Sequence, residues 1–161
     1  VADRAGYSYT TMYNYFKDLN DLVFYCVEDF FNECKVFSEE KITNTPNGIE
    51  KLKLKVLAYA NYFIEYPGIF DLFFLERMGD LQQKQSTVDS ISLSLDRVCD
   101  DEWSYCLDHN LLKFDNVELI KSQVRYVVTG LLLFYLNRIT PTTYVVFQQR
   151  LKAQLDLILP G

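Results

Sequence analysis

The chain has 161 residues, 49% of them hydrophobic and 24% charged, which is enough apolar material for one full core, or for one domain and part of another. Its formal net charge of −6 excludes a broadly basic surface that would coat nucleic acid, while leaving room for a small DNA-reading head on an acidic body. Four cysteines with no C-x-x-C pair and a single His exclude a zinc site, so no metal is expected, and the thiols read as small buried hydrophobes of a reducing compartment.

In chain order, Val1 to Ala5 reads as the last turn and a half of a helix. Gly6 suits a sharp turn, because without a Cβ it can take a positive φ. Ser8 reads as an N-cap for a short second helix, Thr10 to Phe16. Met12 and Phe16, four apart, can face inward together and leave Tyr9, Thr11, Tyr13 and Tyr15 pointing elsewhere. A helix, a tight Gly turn and a short second helix make a helix-turn-helix, whose second helix enters a major groove.

Asp18 can cap a helix from Leu19 to Glu40, with Leu22, Cys26, Phe30, Glu33 and Phe37 as its stripe. Thr43 to Asn47 reads as a loop, and Asn47 with Glu50 as a helix start. Ile49, Leu52, Val56, Tyr59, Phe63 and Tyr66 then recur at spacings of three and four, and Pro67-Gly68 ends that helix. A short apolar helix is expected from Ile69 to about Met78, a loop from Gly79 to Ser86, and one helix from Thr87 to Asp108. Asp115 and Glu118 form a capping box for a helix reaching Asn137, apolar nearly all round after Arg125. Thr140-Pro141 supplies an N-cap and a first-turn proline for a last helix with Tyr144, Phe147, Leu151, Leu155 and Ile158 on one side. The uncharged run Tyr126 to Leu136 is too short to span a bilayer, and no alternating strand pattern, repeat or low-complexity segment occurs.

The run Ala5, Gly6, Tyr7, Ser8, Tyr9, Thr10, Thr11, Met12, Tyr13, Asn14, Tyr15, Phe16, Lys17, Asp18, Leu19, Asn20, Asp21, Leu22 resembles the TetR-family transcriptional regulators, in which A-G-V-S-x-x-T-L-Y-x-Y-F-K-x-K-x-x-L is typical. The match covers about the first 25 residues; the rest agrees only in its helix pattern. Where the family often has a phosphate-contacting Lys, this chain has Leu19, and Lys17 is the candidate replacement. The resemblance implies a homodimer that binds operator DNA and usually represses transcription, with Tyr9, Thr10, Thr11 and Tyr13 toward the groove and Tyr15 and Lys17 near phosphate. It implies a first helix and a basic arm upstream of Val1 and a cytoplasmic location. It also implies an effector domain whose pocket takes a small apolar molecule.

The fold expected is therefore all-α, with residues 1–23 as the remainder of a DNA-binding head and 24–161 as a helical effector-binding and dimerisation domain. Tyr59, Phe63, Phe70, Phe74, Trp103 and Tyr126 are the candidate pocket residues, since such pockets are mostly apolar with a few orienting polar tips. Val124, Val128, Leu131, Phe147, Leu151 and Leu155 are the candidate dimer interface. No phosphate loop, nucleophile elbow, dinucleotide turn or E-x-x-H pair is present, so neither an enzyme nor a bound cofactor is expected. His109 reads as a helix-end residue, and Asp100, Asp101 and Glu102 as a solvated face. The competing reading is a helical module that binds an apolar ligand or a protein partner with no DNA role.

Overall fold

The computed structural model describes residues 19–75 and 85–160. Among them every regular element is helical and none is a strand. The long helices are α1 (Leu19–Ile42), α2 (Ile49–Glu65), α7 (Val117–Leu136) and α8 (Tyr144–Ile158). Between α2 and α7 lie the short helices α3 (Pro67–Phe70), α4 (Gln85–Ser92), α5 (Ser94–Val98) and α6 (Asp100–Asp108).

Helix α2 is the centre of the molecule. Its periodic residues Ile49, Leu52, Val56, Tyr59 and Phe63 are buried, as their spacing requires. Lys53, Lys55, Ala58, Ala60 and Tyr62 are buried as well, because α1, α3, α5, α6, α7 and α8 all pack around this one helix. Burying each large apolar side chain contributes roughly 1.5–3 kcal/mol. Tyr66, the last residue of the expected stripe, is exposed where Pro67 redirects the chain.

Helix α1 packs along α2 with a register rotated from the one expected. Val27, Phe30, Cys34 and Ser38 face inward, whereas Cys26 and Glu33 are exposed. Val27 in place of Cys26 and Cys34 in place of Glu33 keep the same spacing on an adjacent face, which aligns Phe30 with the α2 aromatics. Cys26 is thus exposed, while Cys34, Cys99 and Cys106 are buried, and all four are free thiols. The helix ends where the Thr43 hydroxyl donates to the carbonyls of Glu39 and Glu40, at 3.2 and 3.1 Å.

Several helix starts differ from the sequence expectation. Gly48, not Asn47, caps α2, at φ +143°; the Asn47 side chain instead accepts from Lys51 Nζ at 2.9 Å. Asp115 does not cap α7, because a 3₁₀ turn, Phe114–Asn116, precedes it. Thr143 caps α8 in place of Thr140, its hydroxyl accepting from the Val146 amide, and the Thr140–Pro141 peptide is cis. The stretch after α3 is a π-helical turn, Asp71–Leu75, that aims Phe73 inward. The expected single helix from Thr87 to Asp108 is broken at Leu93 and Cys99. Backbone hydrogen bonds still cross both breaks, so α4 to α6 form one bent column. Serines at 90, 92 and 94 favour such a bend, and Ser92 bonds back to the Asp89 carbonyl.

Candidate functional site

The DNA-reading candidates Tyr9, Thr10, Thr11, Tyr13, Tyr15 and Lys17 lie outside the described residues, as does the rest of the expected helix-turn-helix before Leu19. What the structure describes is the long helix that follows them and the body on which it packs.

Four of the six candidate pocket residues form one contiguous aromatic cluster. The Phe63 ring meets Tyr59 at 5.0 Å, Phe70 at 5.6 Å and Phe74 at 5.7 Å between centroids, each edge to face. Phe30 from α1 closes the cluster against Phe63 and Phe73. The Tyr59 hydroxyl shares a 2.8 Å hydrogen bond with Ser94, and burial pushes its pKa well up, so it stays a neutral polar tip. The rings fill one another's space, and only Phe74 reaches partial exposure. Trp103 is buried on α6, where Lys121 lies over its ring and its indole N–H has no hydrogen-bond partner. Tyr126 corrects the expectation: at 72% exposure it points to solvent from α7 and belongs to no aromatic cluster with the others.

The candidate dimer residues also need correcting. Val124, Val128, Phe147, Leu151 and Leu155 are all buried within this chain, and Leu131 is half-buried. They form the seam between α7, α8 and α2. The apolar residues that reach solvent lie on the opposite faces: Leu119, Tyr126 and Phe134 on α7, and Val145, Val146 and Leu157 on α8. Leu119, Tyr126 and Phe134 recur about every two turns, so they make one stripe. Sequence reasoning could see that α7 is apolar all round but not which side the core takes. The 23 residues Phe114–Leu136 are also long and apolar enough to cross a membrane by length and composition, once the turns before Tyr126 are counted.

Besides Lys53 of α2, which pairs with Asp156 of α8 at 2.9 Å, two charged networks join the helices among the described residues. In the first, Arg125 of α7 pairs with Asp96 of α5, and Arg97 reaches Glu28 of α1 at 3.5 Å while lying over the Phe31 ring. Burial raises the Asp96 pKa against the opposing pull of Arg125. The second network surrounds Lys55. Its ammonium lies 3.0 Å from Glu102 and 3.8 Å from Glu39, at the floor of a depression of about 350 Å³ between the end of α1, the start of α2 and α6. Lys51, Asn47, Asp101 and Tyr105 line the same depression. Glu102, expected on a solvated face, is thus drawn inside, while Asp100 and Asp101 are exposed. Lysines at 51 and 55, one turn apart, gave the sequence-level sign of a shared face; nothing local marked Glu102 as their partner.

No family model, curated protein or solved structure matches the chain. Among the described residues no group of three or more His, Cys, Asp or Glu side chains is placed to hold a metal ion. His109 caps α6, exposed and stacked on Tyr105, with its Nδ1–H donating to the Tyr105 carbonyl at 2.9 Å.

Proposed function

We propose that this protein is a homodimeric DNA-binding transcriptional regulator, a repressor released by a small apolar effector. The observation that carries the reading is the sequence from Ala5 to Leu22, whose small, aromatic and apolar positions agree in their succession with a helix-turn-helix of the TetR type. That run feeds directly into the 24-residue helix α1. The packing of α1 along α2 supports a role for α1 as the arm between a DNA-reading head and an effector domain. The exposed apolar residues of α7 and α8 support a second copy of this chain as the partner for that face. The Phe74 end of the aromatic cluster, where the rings meet solvent, is the point of entry the reading assigns to an apolar effector.

In a dimer the two heads must fall about one DNA turn apart, roughly 34–36 Å, or a multiple of it. A tilt of α1 relative to α2 changes that spacing. An effector acts only through tighter binding to the tilted form, with a coupling of about 1–3 kcal/mol, and operator DNA weakens effector binding by the same factor. The deciding experiment is a mobility-shift selection on random duplex DNA with the full-length protein across a salt series. The expected result is a selected half-site repeated with two-fold symmetry and an affinity that falls steeply with salt. Failure to retain any duplex at low salt refutes the DNA role and leaves the helical ligand- or partner-binding module.

A further inference from the structure

The depression beside Lys55 has the features of a built ligand site. Its charge is divided by element. The cations Lys51 and Lys55 stand on one face of α2; the carboxylates Glu39, Asp101 and Glu102 come from α1 and α6. Lys55 and Glu102 are only 1% and 7% exposed, yet both line the depression. Their mutual pairing is incomplete. Glu102 Oε2 lies 3.0 Å from Lys55 Nζ but off the line of a hydrogen bond, and it is a buried oxygen with no hydrogen-bond partner. Glu39 stands farther from Lys55, at 3.8 Å, and is itself half-exposed. Lys51 donates one of its three N–H groups to Asn47. No side chain caps the first turn of α2, so its backbone amides add positive potential on the lysine side.

We propose that this depression binds a small zwitterion, a molecule carrying an ammonium and a carboxylate a few bonds apart, as an α-amino acid does. The ligand carboxylate meets Lys51 and Lys55, and its ammonium meets Glu39, Asp101 and Glu102. A lone anion such as phosphate would bring its charge among three carboxylates. A lone cation would bring its charge against two ammonium groups. A ligand with both charges gives each side of the depression a charge-assisted partner of opposite sign. The volume, about 350 Å³, falls in the range of small-molecule sites. Buried Ile42 on the same wall offers an apolar contact to a short side chain. Binding here requires no DNA-reading head, so this site and the DNA role stand or fall separately.

The test is thermal unfolding and titration calorimetry of the full-length protein with the common α-amino acids, up to about 10 mM. The single-charge controls are n-butylamine and n-butyrate. At least one amino acid should raise the unfolding temperature with increasing concentration, and neither control should. Lys51→Gln and Asp101→Asn, on a half-buried and an exposed side chain, should unfold like the wild type without ligand and bind about tenfold more weakly. The paired replacement Lys55→Met with Glu102→Leu, which leaves no unpaired buried charge, should fold and lose binding. The proposal is overturned if no amino acid shifts the transition, if a single-charge control binds equally well, or if the Lys51 and Asp101 variants bind unchanged.

Discussion

Lys55 and Glu102 meet at 3.0 Å, 47 positions apart in the chain, with both side chains withdrawn from water. Removing either partner strands the other charge in the interior, which costs about 3–5 kcal/mol. Lys55→Met or Glu102→Leu alone should therefore lower stability by that amount in denaturant unfolding. The double replacement should recover most of it, because apolar side chains of similar volume need no desolvation. A double variant no more stable than the singles would show that the pair does more than balance charge.

Asp96 supplies a pH dependence of definite sign. Burial raises its pKa above the ordinary 3.8, and Arg125 only partly offsets this. The folded state therefore holds the proton to higher pH than the unfolded chain. Its contribution to stability is full below pH 3.8 and is lost as pH rises through the folded pKa. The stability of the wild type minus that of Asp96→Asn should decline as pH rises above 3.8, measured by urea unfolding at each pH. A difference that grows with pH would place Arg125 as the dominant influence on Asp96.

Phe63 is fully buried and touches rings from α1, α2, α3 and the π turn. Phe63→Ala should cost about 3–5 kcal/mol, the transfer free energy plus the cavity left behind. Calorimetric unfolding measures it. A cost below about 1 kcal/mol would show that the rings enclose a plastic, ligand-accessible space rather than a packed core.

The outward residues of α7 and α8 separate folding from assembly. Tyr126 and Leu157 are 72% and 78% exposed, so replacing both by Glu should leave the unfolding transition within about 0.5 kcal/mol per site. Light scattering should then report a monomer, and for the wild type the dimer that the proposed function requires. Val128→Glu, at a fully buried site, should instead unfold the chain. A wild type that is monomeric at micromolar concentration removes these helices from any homodimer interface.

The sequence by itself determined that the described chain is helical and where its long helices run, because spacings of three and four are a local property of α2, α7 and α8. It also put Phe147, Leu151 and Leu155 on one side of α8, but as a dimer interface, where the chain's own core takes them and leaves Tyr144 of the same side exposed. The helix-turn-helix pattern is legible only in the sequence, since residues 1–18 lie outside the described part. Only the tertiary structure decided which side of an all-round apolar helix meets the core. Val124 and Val128 turn in and Tyr126 turns out, although hydrophobicity does not separate them. The register of α1 was decided the same way: Phe30 packs against Tyr62 and Phe63, which turns Val27 inward and leaves Cys26 exposed. The Lys55–Glu102 pair was invisible for a related reason. A charged side chain reads as solvated from its neighbours in sequence, and it becomes a buried pair only when a distant element brings the opposite charge to it.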